Sequence, residues 1–319
     1  MQSTKIKEIS YESKKIKKGK MKEKMNNFPH YLKSWVKTFS GGLTLTCLVI
    51  LTLVPFLSSE PSFLQIVLPT FTLAMIYSIF AASWDLLTGI SGQVSFGHVI
   101  FFGIAGYITA YFIEYQSFSI VGAIIIGVGG SALFSLLIGA LFLRLKGPYL
   151  ALGTLVFSII ILKIFLLGSL SFIFFGSEGI SGLPKLSGST TTTYFIVLIT
   201  MIISLIIIIQ ISKSKLGTIF KSIRDDETGA DASGINTTKY KIIAFLISGV
   251  FAGIAGAYYA LHNTAVNPTG NYGIVISFFA ILMASLGGLA TISGSALGAF
   301  FFIFVEYILI ELGAMDYVQ

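Results

Sequence analysis

Ser212 to Lys241 reads SKSKLGTIFKSIRDDETGADASGINTTKYK, a polar stretch set between two long apolar segments of a chain that is otherwise lipid-compatible after about residue 40. Its cations are Lys213, Lys215, Lys221, Arg224, Lys239 and Lys241, against Asp225, Asp226, Glu227 and Asp231. Excess Lys and Arg in a short loop predicts the cytoplasmic side of a membrane. Within it, Ile219, Phe220 and Ile223 recur at helical spacing beside Lys221 and Arg224. That spacing predicts a short amphipathic helix presenting a small apolar face to a soluble partner. Gly234 is the expected helix stop. Thr237 or Thr238 is the expected cap of the membrane segment that begins near Ile242.

Working outward, hydrophobic residues make up 55% of the chain, charged residues 11%, and mean hydropathy is +0.88. An ordinary soluble domain does not reach these values, so the composition predicts an all-α, polytopic helical membrane protein. Apolar runs fall near 43–58, 63–88, 97–113, 118–143, 148–168, 193–211, 242–262, 273–293 and 294–312. Most reach the roughly 20 residues a helical span needs, giving about 8–9 transmembrane segments. They are continuous rather than alternating, which excludes an outer-membrane type of β-barrel.

The net charge is +7, and eleven of the 21 basic residues lie between Lys5 and Lys37, ahead of the first span. This distribution points to a topology signal rather than to nucleic acid, and residues 1–40 are expected to be a disordered cytoplasmic tail with the permeation domain over 41–319. Lys14, Lys15, Lys17, Lys18, Lys20, Lys22 and Lys24 are also placed to touch anionic lipid headgroups. With the N-terminus inside, alternation of spans puts Arg144 and Lys146 inside, residues 212–241 inside and residues 169–192 outside. Cys47 is the single cysteine, so the chain alone builds neither a disulfide nor a thiolate metal site.

Two apolar runs are interrupted by glycine and serine: GISGQVSFG at Gly89 to Gly97, and GGLATISGSALG at Gly287 to Gly298. Such clusters at membrane depth mark backbone that is buried in protein or lines a hydrated cavity, or else close helix packing. GIAG occurs at Gly103 to Gly106 and again at Gly253 to Gly256, a short internal echo. Asp85, Glu114, Lys163 and Glu306 are the ionisable residues within spans. Asp85 is placed either to accept hydrogen bonds from freed backbone or to contact a polar substrate, and Glu306 to pair across helices; Glu114 belongs at an outer helix end. His98 follows the first break and either lines a pathway or makes a hydrogen bond at a helix end. No nucleophile with a neighbouring base, no metal-ligand spacing and no phosphate-binding GxxxxGKS loop occurs, which argues against an enzyme.

AASWDLLTGISGQVSFGHVIFFGIAGY, KGPYLALGTLVF, GSEGISGLP and the loop GTIFKSIRDDETGADASGINTTKYK, in that order, resemble the LivM-type permease subunit of branched-chain amino acid ABC transporters from about Ile66 to Glu311. The matches fall at Gly89, Gly92, Gln93, Ser95, Gly97, His98, Phe101 and Phe102; at Gly147, Pro148 and Tyr149; and at Gly176, Ser177, Glu178, Gly179 and Pro184. The last segment is similar to the coupling loop of ABC permeases, with Gly234 and Ala230 at matching positions, while Thr228 and Gly229 depart from the pattern and Glu227 stands one place early.

The resemblance implies the ABC importer permease fold and a non-catalytic subunit of a bacterial or archaeal cytoplasmic membrane. It would bind no cofactor itself, ATP being used by two ABC ATPase subunits. It would pair with a sister permease of LivH type and receive an amino acid from an extracellular or periplasmic binding protein. Ile219, Phe220, Ile223, Arg224, Glu227, Ala230 and Gly234 would serve coupling, and Asp85, Gly89, Gly92, Gln93, Ser95, Gly97 and His98 would line the pathway. Permeases for urea or short-chain amides are closely related, and an ion-coupled secondary transporter is the alternative from another class.

Overall fold

In lipid every backbone polar group must find a partner within the protein, so long apolar runs fold as helices. The computed structural model describes residues 47, 49–57, 60–142, 145, 147–171 and 175–312. The basic tail, Arg144, Lys146 and the chain after Leu312 lie outside the described residues. The chain divides into two units, Met1–Leu57 and Ser58–Gln319. Of the first, helical residues around 49–53 are described, followed by a 3-10 turn at Val54–Phe56.

The second unit holds α1 (Pro61–Asp85), α2 (Val99–Glu114), α3 (Ile120–Phe142), α4 (Pro148–Leu166), α5 (Thr190–Lys213), α6 (Lys215–Asp225), α7 (Glu227–Ala232), α8 (Thr237–Asn263), α9 (Pro268–Tyr272), α10 (Ile274–Gly287) and α11 (Ile292–Glu311). Seven described helices are long and apolar enough to cross a bilayer, and Val99–Glu114 is a shorter apolar helix. This is a polytopic helical membrane protein.

Two helices form the centre. Over an 18-residue apolar stretch of each span, 67% is buried in Gln65–Ile90, which is α1 and its continuation, and 56% in α8, against only 22%, 28% and 28% in α3, α4 and α5. The outer helices turn Val121, Ile125, Leu133, Val156, Ile160, Ile199 and Ile203 outward, a surface suited to lipid tails. Against α8 pack α1, α2 and α3, and against α1 pack α5, α10 and α11.

Small residues set the spacing. A methyl at Gly106 would lie 3.1 Å from the Gly256 carbonyl, and one at Gly256 would strike the backbone of Phe102. The two GIAG segments therefore face each other across the α2/α8 contact, where small residues let the backbones approach. In the same way Gly287, Gly294 and Gly298 bring α10 and α11 together as a tight hairpin.

At one end of the bundle β1 (Ile180–Ser181) pairs antiparallel with β2 (Ala265–Val266), joining the connector after α4 to the one after α8. At the opposite end α5 gives way to α6 and α7, and α8 begins. The connectors around 169–192 and 212–241 thus lie at opposite ends, as the span count requires.

Candidate functional site

The first glycine break is a helix end built into the protein. Beyond Asp85, α1 widens into a π-helical turn, Leu86–Ile90, and the chain then runs irregularly to α2. Gly92 takes φ +72°, a left-handed conformation that glycine adopts without a Cβ clash. Side chains from α1 itself and from neighbouring helices satisfy the freed backbone. Trp84 Nε1 donates to the Ser95 carbonyl at 2.7 Å, Phe96 N–H donates to Thr154 Oγ1 at 3.1 Å, and Val99 N–H donates to Ser277 Oγ at 3.0 Å. Gln93 is buried, its side-chain amide donating to the Ser91 carbonyl at 3.1 Å. Gly97 sits against the backbone of Thr154 on α4, where any larger residue would collide.

His98 is fully buried, with Nε2 2.9 Å from Ser83 Oγ and 3.4 Å from Ser248 Oγ. Its ring packs between Phe80 and Phe101. The histidine therefore links α1, α2 and α8 within the bundle, rather than bonding its own helix end.

Asp85 is also fully buried, and its Oδ1 accepts the Ala290 N–H at 2.7 Å. Of the two roles open to it from sequence, the structure shows the hydrogen bond to freed backbone, and that backbone belongs to the second break. There α10 and α11 are joined by a turn over residues 288–291, with Gly288 at φ 102° and Ala290 at φ 61°. The Thr291 hydroxyl closes the turn on the Gly288 carbonyl.

The polar loop forms two helices where one was expected, split at Asp226, whose φ of −153° is extended. Ser214 caps α6, its hydroxyl accepting the Leu216 N–H at 3.2 Å. After α7, Gly234 has φ +83°, with Ile235 N–H on the Ala230 carbonyl and Gly234 N–H on the Asp231 carbonyl, the paired bonds of a Schellman stop. Asn236, not Thr237 or Thr238, caps α8, its side chain accepting the Lys239 N–H at 2.9 Å. Both threonines fall inside the helix because the Schellman stop delivers the chain directly to Asn236.

A second correction concerns the apolar face. Phe220 is fully buried and Ile223 is 4% exposed, because α6 packs on α5, α8 and the π turn of α1. Ile219 is half-buried. The face is real but points into this chain; what α6 leaves outside is Lys215, Thr218, Lys221, Ser222, Arg224 and Asp225.

Arg224 then joins loop and break, its Nη1 donating to the Gly89 carbonyl at 2.9 Å while its Nε and Nη2 reach Asp225 Oδ1 at 2.9 Å. Ala230 is buried, and Glu227 pairs with Lys241 at 2.6 Å. Among the other ionisable residues in spans, Glu114 ends α2 in an exposed position and Lys163 is exposed on α4. Glu306 is half-buried and makes no ion pair among the described residues, so the expected cross-helix pairing is not seen.

Sequence comparison supplies the family. The profile described as "Branched-chain amino acid transport system / permease component" matches residues 66–318, most of the chain. The chain belongs to this permease family. Among family relatives, it is 28% identical over 281 residues to the high-affinity branched-chain amino acid transport system permease protein LivM of Salmonella typhimurium, covering 76% of this chain and 65% of that protein. The same figures hold for LivM of Escherichia coli strain K12. It is 30% identical over 206 residues to the autoinducer 2 import system permease protein LsrC of Yersinia pestis, covering 58% of this chain and 56% of that one. The chain thus spans about 65% of the length of the LivM permeases it matches. No solved structure matches it.

Proposed function

We propose that this permease-family chain is the translocation subunit of an ATP-driven importer whose cargo is an amino acid with an apolar side chain. The observation that carries the reading is the join between the polar loop and the broken helix, Arg224 to Gly89, within a chain of the permease family. In such an importer the loop at 212–241 faces the cytoplasm, the N-terminus is cytoplasmic, and α6 and α7 seat an ABC ATPase. A LivH-type sister permease, a second ATPase and an external binding protein complete the assembly. Because Phe220 and Ile223 are turned inward, the ATPase contact is polar, made by Thr218, Lys221, Ser222 and their neighbours.

Substrate class is the finer part of the proposal. The LivM relatives support a branched-chain amino acid, while the LsrC relative, named for autoinducer 2 import, favours keeping a small polar solute as a second reading, with urea and short-chain amides in the same bracket.

Reconstitution into proteoliposomes with the proposed partners tests both. Uptake of radiolabelled leucine that needs internal-site ATP and the binding protein is expected. Uptake driven by an imposed ion gradient without ATP would instead establish a secondary carrier, and ATP-dependent uptake of autoinducer 2 or urea but not leucine would move the chain to the second substrate reading.

A further inference from the structure

The last turn of α1 has an unusual division of its carbonyls. A helix end leaves its final carbonyl groups without intrahelical donors, and each must be met by something else. Here the Leu86, Thr88 and Leu87 carbonyls accept from the N–H groups of Ser91, Gly92 and Gln93 as the chain folds back, at 3.1, 3.1 and 3.0 Å. The Gly89 carbonyl is met from outside the break by Arg224, across 135 residues of sequence. Arg224 is therefore the end cap of a central membrane helix, supplied by the loop helix α6. The contact is close at the backbone as well, since a methyl at Gly92 would lie 2.9 Å from Arg224 Cα.

One turn earlier the same helix end is held from another direction. The Asp85 carboxylate folds over Gly89, so that a side chain there would strike Oδ1 and come within 2.7 Å of the Ala290 nitrogen. The Ala290 N–H is the donor on Oδ1, while Oδ2 is buried with no hydrogen-bond partner among the described residues and the Ser295 hydroxyl donates to the Thr291 carbonyl at 3.3 Å. Gly89 is thus gripped on its carbonyl by α6 and packed at its Cα against Asp85 and the α10–α11 turn. The turn it meets contains a non-glycine residue in the left-handed region, Ala290 at φ 61°, a conformation that persists only where surrounding contacts hold it.

We propose that Arg224 and Asp85 are positioning residues that make the end of α1 a joint, through which displacement of α6 is passed to the turn between α10 and α11. For the purpose this movement serves, the inference rests on the importer reading; the joint itself does not. A shift of α6 pulls the Gly89 carbonyl, the π turn moves with it, and Asp85 carries the Ala290 amide. The coupling is a free energy shared between two contacts on one short rigid element, which is the condition for transmission rather than mere adjacency.

Amide hydrogen exchange on the full-length chain in lipid nanodiscs reads the joint directly. Arg224→Met should raise exchange in peptides covering 286–294 by roughly tenfold, the scale of losing one charge-assisted hydrogen bond, although Arg224 does not touch that turn. Asp85→Asn should raise exchange in the same place, and the double variant should exceed Asp85→Asn by little. Arg224→Lys, which keeps a charge and a donor, should give a smaller rise and serves as the test variant if Arg224→Met does not fold, with unchanged protection of α3 as the folding control. A rise confined to 86–93, or strictly additive effects, would overturn the joint. In the reconstituted importer, Arg224→Met should raise ATP hydrolysed per substrate moved while leaving the KM for ATP unchanged; an unaltered ratio would also overturn it. If the wild-type chain shows no ATP-dependent uptake, the importer reading falls while the exchange experiment still decides the joint.

Discussion

Lys241 Nζ lies 2.6 Å from Glu227 Oε2, and the lysine is 4% exposed while the glutamate is 27% exposed. The pair ties the N-terminus of α7 to the second turn of α8 and so fixes this loop helix to a central span. Charge at a helix beginning is favourable for the glutamate and unfavourable for the lysine, so the lysine depends on its partner.

Removing that partner should therefore be the harsher change. Glu227→Gln, which leaves a buried ammonium with no counter-charge, should destabilise by about 3 kcal/mol, Lys241→Met by less, and the double variant by less than Glu227→Gln alone. Thermal unfolding in detergent checks the order; equal losses in all three would show that the pair is not coupled.

Glycine substitutions should sort by position. Gly92→Ala places a methyl 2.7 Å from Arg224 Cγ at φ +72°, and should loosen α6 and reduce uptake at least tenfold without loss of membrane insertion. Gly129→Ala, where nothing lies within 4 Å, should leave uptake unchanged and stabilise α3 by about 0.5 kcal/mol. Similar behaviour of the two variants would remove the steric argument.

The cap of α8 offers a clean comparison of neighbours. Asn236→Ala should cost about 1 kcal/mol and speed exchange of the Lys239 amide, whereas Thr238→Ala, at an exposed site within the first turn, should change neither. The reverse pattern would return the cap to the threonine.

Orientation is testable by labelling. With Cys47 replaced, Ser189→Cys in intact cells should react with an impermeant maleimide and Ser214→Cys should not; both sites are exposed in the fold. Labelling of Ser214→Cys alone would invert the chain and place α6 outside.

The spans, both breaks and the stop at Gly234 were legible because continuous apolarity and isolated glycines speak for themselves locally. The apolar spacing of Phe220 and Ile223 was equally plain, but periodicity announces a face without saying what covers it; here α5, α8 and the π turn do. The contacts of Arg224 with Gly89 and of Asp85 with Ala290 were out of reach because their partners are backbone atoms 135 and 205 residues away, and a backbone atom leaves no mark in sequence. The likeness of the two GIAG segments was legible, but that they meet across α2 and α8 was not, because sequence does not say which small residues pack against which.

α8, with 27 residues, is a rod of about 40 Å. One extremity is followed by β2, laced to β1, and the other carries Lys241, locked to Glu227. At one extremity the tie reaches back to the loop helix that leads into α8, and at the other it reaches across to the connector that leads into α5. Any motion that preserves both ties therefore carries α7 with the beginning of this rod and the β1 connector with its end.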